Sequence, residues 1–81
     1  MYKSLYSQEH IRLISWLKQQ RQDQNLSMRD LAGKLDVPHS FIGKIEQGER
    51  RLDVVEYLQY CEALSVSPFE GLYIVNPDLT K

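Results

Sequence analysis

Apolar residues recur along most of the chain at steps of three and four, the period of helices and not of strands. The first stripe holds His10 or Ile11, then Ile14, Leu17 and Gln20, with Leu13 widening the face and Trp16 half-buried beside it. Leu31, Ala32 and Leu35 form a second, shorter stripe. Phe41 or Ile42 with Ile45 forms a third, and Val54, Tyr57, Leu58, Cys61 and Leu64 a fourth. A fifth, short helix is expected from Pro68 to about Tyr73, after which the period is lost. The pattern predicts an all-α chain of five helices without strand pairing.

Helix starts are written in the polar residues between the stripes. Ser27 is followed by Asp30, Asp53 by Glu56 and Ser67 by Glu70. In each pair the first side chain can accept the third amide while the acid reaches back, so two orphan donors are satisfied reciprocally. Ser7 caps the first helix, and Pro68 stands at the first helical position of the fifth. Asn25 takes the left-handed position after the first helix, and Gly48 stops the third. Asp36-Val37-Pro38 breaks the second, because the residue before a proline is pushed out of the helical region and Asp tolerates left-handed geometry. Tyr73-Ile74-Val75 suits an extended apolar segment, and Pro77 precludes a regular extension. Tyr2, Leu5 and Tyr6 mark an N-terminal arm or an early start to the first helix.

The second and third helices, about 27–35 and about 38–47, are joined by a tight turn. Small Ala32 lets them approach closely. That arrangement looks like a helix-turn-helix, a motif in which the second helix lies in the DNA major groove.

Eighty-one residues make a single domain, residues 1–81, with its core at about 7–73. There is no room for a substrate cleft beside a second domain, which argues against an enzyme. No apolar run approaches a membrane span of roughly 20 residues. Nor is there a signal-peptide core, so the cytoplasm is the expected compartment. One cysteine excludes an internal disulfide and a multi-cysteine zinc site, and Cys61 reads as a small buried thiol. His10 and His39 lack ligand spacing to a cysteine or carboxylate, so no metal is expected. No Ser–His–Asp arrangement and no glycine-rich phosphate loop appear, so no cofactor is expected. The net charge of −1 is unevenly spread. Residues 1–51 hold nine Lys/Arg against six Asp/Glu, and residues 52–81 hold one against five. One end suits phosphates, and the other suits a different partner or only water.

Several coupled features resemble the Cro/repressor-type (XRE-like) DNA-binding family. They are Leu26-Ser27, Asp30-Leu31-Ala32, Leu35, Val37, Ile42, Ile45-Glu46 and Gly48-Glu49-Arg50. The run from Phe41 to Glu56 looks like a bacterial subgroup of small regulators. The resemblance spans roughly residues 10–72 and implies a compact five-helix, lambda-repressor-like domain. It also implies bacterial, phage or plasmid transcriptional control, usually as a dimer on palindromic double-stranded DNA. It implies an ion pair between Arg21 and Glu46 beneath the recognition helix. The chain departs from the family at Met28, where Gln or Thr often helps hold a phosphate. Pro38 replaces the usual Ser/Thr cap of the third helix, and Gly43 replaces a side chain that often points at the groove. Asn25 and Asp36 stand where glycine is frequent.

Within this motif the exposed face of the third helix carries His39, Ser40 and Lys44. These are the candidate base readers, Lys44 suiting the O6 and N7 acceptors of guanine. Ser27, Arg29, Gln47, Arg50 and Arg51 are the candidate phosphate contacts, with the amides at the start of the second helix. The alternative for Arg50 and Arg51 is an exposed turn paired with Glu49 and Asp53. The chain has no effector module, so no small-molecule effector is expected. A homodimer has Tyr60, Phe69, Tyr73, Ile74 and Val75 as candidate contacts, unless the tail folds back on Trp16. The rival reading is a protein-interaction module or an antitoxin-like partner on the same fold. Near-neutral charge, Met28 and Gly43 support it.

Overall fold

The capping residues act where their spacing puts them. The computed structural model describes residues 7–79, with α1 at Gln8–Asp23, α2 at Met28–Leu35, α3 at His39–Glu46, α4 at Val54–Leu64 and α5 at Pro68–Val75. No strand occurs among the described residues. The expected N-terminal arm and the last two residues lie outside them. The Ser7 hydroxyl accepts the His10 amide at 3.2 Å. Both reciprocal bonds form at Ser27/Asp30 and at Asp53/Glu56. The third box does not form. The Ser67 hydroxyl accepts the Phe69 amide instead, at 3.2 Å, and Glu70 is left exposed. Asn25, Asp36 and Gly48 adopt the left-handed backbone their positions require, and Ser65 ends α4 the same way.

Leu17 of α1, Leu31 of α2, Ile42 and Ile45 of α3 and Leu64 of α4 are fully buried, and Ile14, Ala32, Tyr57, Tyr60 and Cys61 complete the core. Of the two residues considered for the first turn of α1, His10 is the inward one and Ile11 is exposed. One stripe differs from the expected one. In α4 the inward set is Tyr57, Tyr60, Cys61 and Leu64, while Val54 and Leu58 face out at 75% and 49% exposure. Both sets share the i, i+3, i+4, i+7 rhythm, so periodicity cannot choose between them. Turning α4 this way buries the Tyr60 ring, at 1% exposure. Tyr60 is therefore core and not a dimer contact.

Helix α5 runs two residues past Tyr73, and Ile74 and Val75 are helical instead of extended. The cause lies on another element. The Arg12 guanidinium of α1 donates to the Ile74 and Val75 carbonyls at 3.3 Å each, supplying a cation and two donors where the helix ends. Gly71 sets how closely α5 sits. A Cβ there would stand 2.8 Å from the Trp16 ring and nearer still to the Tyr57 hydroxyl. That hydroxyl donates to the Pro68 carbonyl at 2.5 Å. The fold-back onto Trp16 is thus made by α5.

Candidate nucleic-acid interface

Burying Ile42 and Ile45 aims the opposite face of α3 outward. His39, Ser40 and, a turn later, Lys44 share that face, and all three are exposed. Gly43 lies alongside, with the Met28 sulfur 3.9 Å from where its Cβ would stand. Helices α1, α2, α4 and α5 each begin on a side chain that accepts a first-turn amide. Helix α3 begins on Pro38, which makes no such bond. The Phe41 amide donates to the Pro38 carbonyl at 3.0 Å, and the first two amides of α3, His39 and Ser40, with its positive dipole end, are left for an outside acceptor.

The phosphate candidates divide. Arg29 is exposed on the first turn of α2, and Gln47 and Arg51 are exposed after α3. The Ser27 hydroxyl accepts the Asp30 amide at 3.0 Å, and Asp30 accepts the Ser27 amide at 2.8 Å. The Ser27 amide and hydroxyl hold the Asp30 carboxyl below its ordinary range. Arg50 is engaged differently. Its guanidinium donates to both Glu56 oxygens, at 3.1 and 2.9 Å, and to the Arg51 carbonyl at 3.0 Å. Its charge sits 4.6 Å from the centre of the Phe41 ring. The carboxylate that forks it is Glu56, beyond the Glu49 and Asp53 considered from the sequence. The signal was present: the Asp53/Glu56 box turns Glu56 back over the loop.

Beneath α3, Arg21 donates to Glu46 through Nε at 2.6 Å and through Nη2 at 3.0 Å. A third bond runs to the Leu26 carbonyl at 2.7 Å. The two side chains are only 9% and 2% exposed. The Glu46 bond holds the guanidinium above its ordinary pKa, against the opposing pull of burial. The pair ties the last turn of α1 to the last turn of α3 and to the chain entering α2. His10, one of the two inward residues considered for the first turn of α1, lies close by. It is 5% exposed, its Nε2 has no partner among the described residues, and it lines a cavity of about 130 Å³ with Gln47 and Gly48. Burial, reinforced by the Arg51 charge, lowers its pKa from 6.5. Burial likewise pushes the Cys61 thiol up, as fits an inert core residue. No group of His, Cys, Asp or Glu among the described residues is placed to hold a metal ion. No helix among them is long and apolar enough to cross a membrane.

A helix-turn-helix family model matches residues 17–70 of the chain. No curated protein sequence matches it. Among solved structures, an XRE-family like protein from Pseudomonas syringae pv. tomato superposes with a TM-score of 0.80 at 30% identity, over 88% of this chain and 87% of that one. The restriction-modification controller protein C.AhdI from Aeromonas hydrophila gives 0.74 at 26% identity, over 80% and 98%. The clp gene regulator ClgR from C. glutamicum gives 0.77 at 20% identity, over 90% and 95%, a likeness of fold.

Proposed function

From the premise that the chain belongs to the XRE family of helix-turn-helix regulators, we propose that it reads operator DNA with α3 in the major groove. The family is one of non-enzymatic DNA-binding transcriptional regulators. The observation that carries the finer reading is α3 itself. Its inner face is locked in the core, its start is uncapped, and its outer face carries His39, Ser40 and Lys44. His39 and Ser40 meet base edges at the uncapped end, and Lys44 reaches a guanine. Ser27, Arg29, Gln47 and Arg51, with the first-turn amides of α2, hold phosphates on either side. The Arg21–Glu46 pair sets the height of α3 above the core. Such a role places the chain in the cytoplasm, where bacterial operators are.

The protein acts as a homodimer, because a palindromic operator presents its half-sites about 34 Å apart. Phe69, Leu72 and Tyr73 of α5 and Val54 and Leu58 of α4 are large, apolar and exposed. Val54 and Leu72 line one shallow groove. An apolar surface of this kind on a small domain marks an interface. Of the contacts considered from the sequence, Phe69 and Tyr73 remain in it. Ile74 and Val75 are half-buried against α1.

The test is binding to duplex DNA across a salt series, then selection from a random duplex library. The wild type should lose affinity steeply with salt. Lys44→Ala should lose about 1–3 kcal/mol on the selected site and relax preference at one base pair. Salt-sensitive binding with an unchanged Lys44→Ala profile removes α3 readout. No salt-sensitive binding at all leaves a protein-interaction module on the same fold.

A further inference from the structure

We propose that Arg50 is a positioning residue of the DNA interface, not a phosphate contact, and that Glu56 is its partner in that role. The inference rests on the DNA-binding reading above.

Three observations converge on the Arg50 side chain. Its fork meets both oxygens of Glu56. Its flat face covers Phe41, on the inner edge of the recognition helix. Its Nη1 also holds the carbonyl of Arg51, the next residue in the loop. Glu56 is committed in turn: its Oε1 accepts the Asp53 amide at 3.0 Å, and its own amide donates to Asp53 at 2.7 Å. One guanidinium thus joins α3, the loop and the first turn of α4. A planar fork suits this junction, and a lysine ammonium cannot both fork a carboxylate and lie flat on a ring.

Charge points the same way. A phosphate approaching Arg50 meets the Glu56 carboxylate on the same guanidinium, and the two anions repel. The pair is close to neutral as a unit, so it releases few counterions from DNA. The side chains are 41% and 27% exposed, where an ion pair adds little stability of its own. Geometry is what it supplies: the bond to the Arg51 carbonyl sets the backbone from which Arg51 reaches a phosphate.

Glu56→Gln separates the two roles by sign. Glutamine keeps the capping box, since it serves at the third helical position as glutamate does. If Arg50 clamps a phosphate, removing its competing carboxylate tightens DNA binding. If Arg50 positions the loop, breaking the fork weakens it despite the added positive charge. The full chain would be titrated onto a duplex selected by the wild type, with circular dichroism confirming that each variant is folded at the binding temperature. Glu56→Gln should weaken binding on the order of three- to tenfold, and adding it to Arg50→Ala should change little further. Arg50→Lys should fail to restore affinity, although lysine serves well at a plain phosphate contact. Tighter or unchanged binding by Glu56→Gln overturns the proposal, as does wild-type affinity in Arg50→Lys. A wild type that binds no duplex in a salt-dependent way refutes the DNA reading itself, a separate outcome.

Discussion

Replacing Arg21 by alanine isolates what the buried pair does. The substitution leaves the Glu46 carboxylate, 2% exposed, without the two charge-assisted bonds at 2.6 and 3.0 Å that satisfy it. It also strips a donor from the Leu26 carbonyl. Breaking a buried pair by removing one partner costs about 3–5 kcal/mol, because an uncompensated charge remains. A chain of this length holds roughly 4–12 kcal/mol of stability in all, at about 0.05–0.15 kcal/mol per residue. Arg21→Ala should therefore lower the melting temperature by about 12 °C or more, at the 4–8 °C per kcal/mol typical of small domains. Urea denaturation followed by circular dichroism measures it as a lower midpoint at unchanged slope.

The converse change should cost less. After Glu46→Gln, Arg21 keeps its bond to Leu26 and has a long stem with which to reach water. Arg21→Met combined with Glu46→Leu removes both charges at similar volume, and should recover most of the stability lost by Arg21→Ala. A loss below about 1 kcal/mol for Arg21→Ala, the scale of an exposed pair, would refute the reasoning. So would a double variant as unstable as the single one.

Two further outcomes follow from the same structure. The lowered pKa of His10 means that the unfolded chain takes a proton, below about pH 6.5, which the folded chain refuses. Stability should therefore fall as pH drops through 6.5, until the folded histidine itself protonates, and His10→Leu should flatten that decline. A decline unchanged in His10→Leu places its source elsewhere, since the lowered carboxyls of Asp30 and Glu56 act only in the more acidic range near pH 4 and below. For the dimer, Phe69→Glu should keep the fold, the side chain being 77% exposed, and shift sedimentation from dimer to monomer. A wild type that stays monomeric at high concentration, with and without DNA, removes the proposed interface.

What could be read from the sequence divides by range. Ser7, Ser27 and Asp53 act on amides three residues away, so their spacing alone places the starts of α1, α2 and α4. Asn25, Asp36 and Gly48 likewise carry their backbone geometry in their own side chains, or in the lack of one. The misses arise where a distant element decides. Arg12 prolongs α5 from 62 residues away. The rotation of α4 is settled by what Tyr60 fills, and the Val54 and Tyr57 stripes look alike until the other helices are in place. That rotation also reaches the interface. With Tyr57 and Tyr60 turned inward, the start of α4 brings Glu56 back over the loop, where it meets Arg50. Along the chain, the two adjacent arginines after α3 look equivalent, both basic and both in a charged turn. In the folded protein Arg50 is held by the Glu56 carboxylate and the Phe41 ring. The proposed division between positioning and contact therefore depends on the packing of α4, which no local pattern in the loop records.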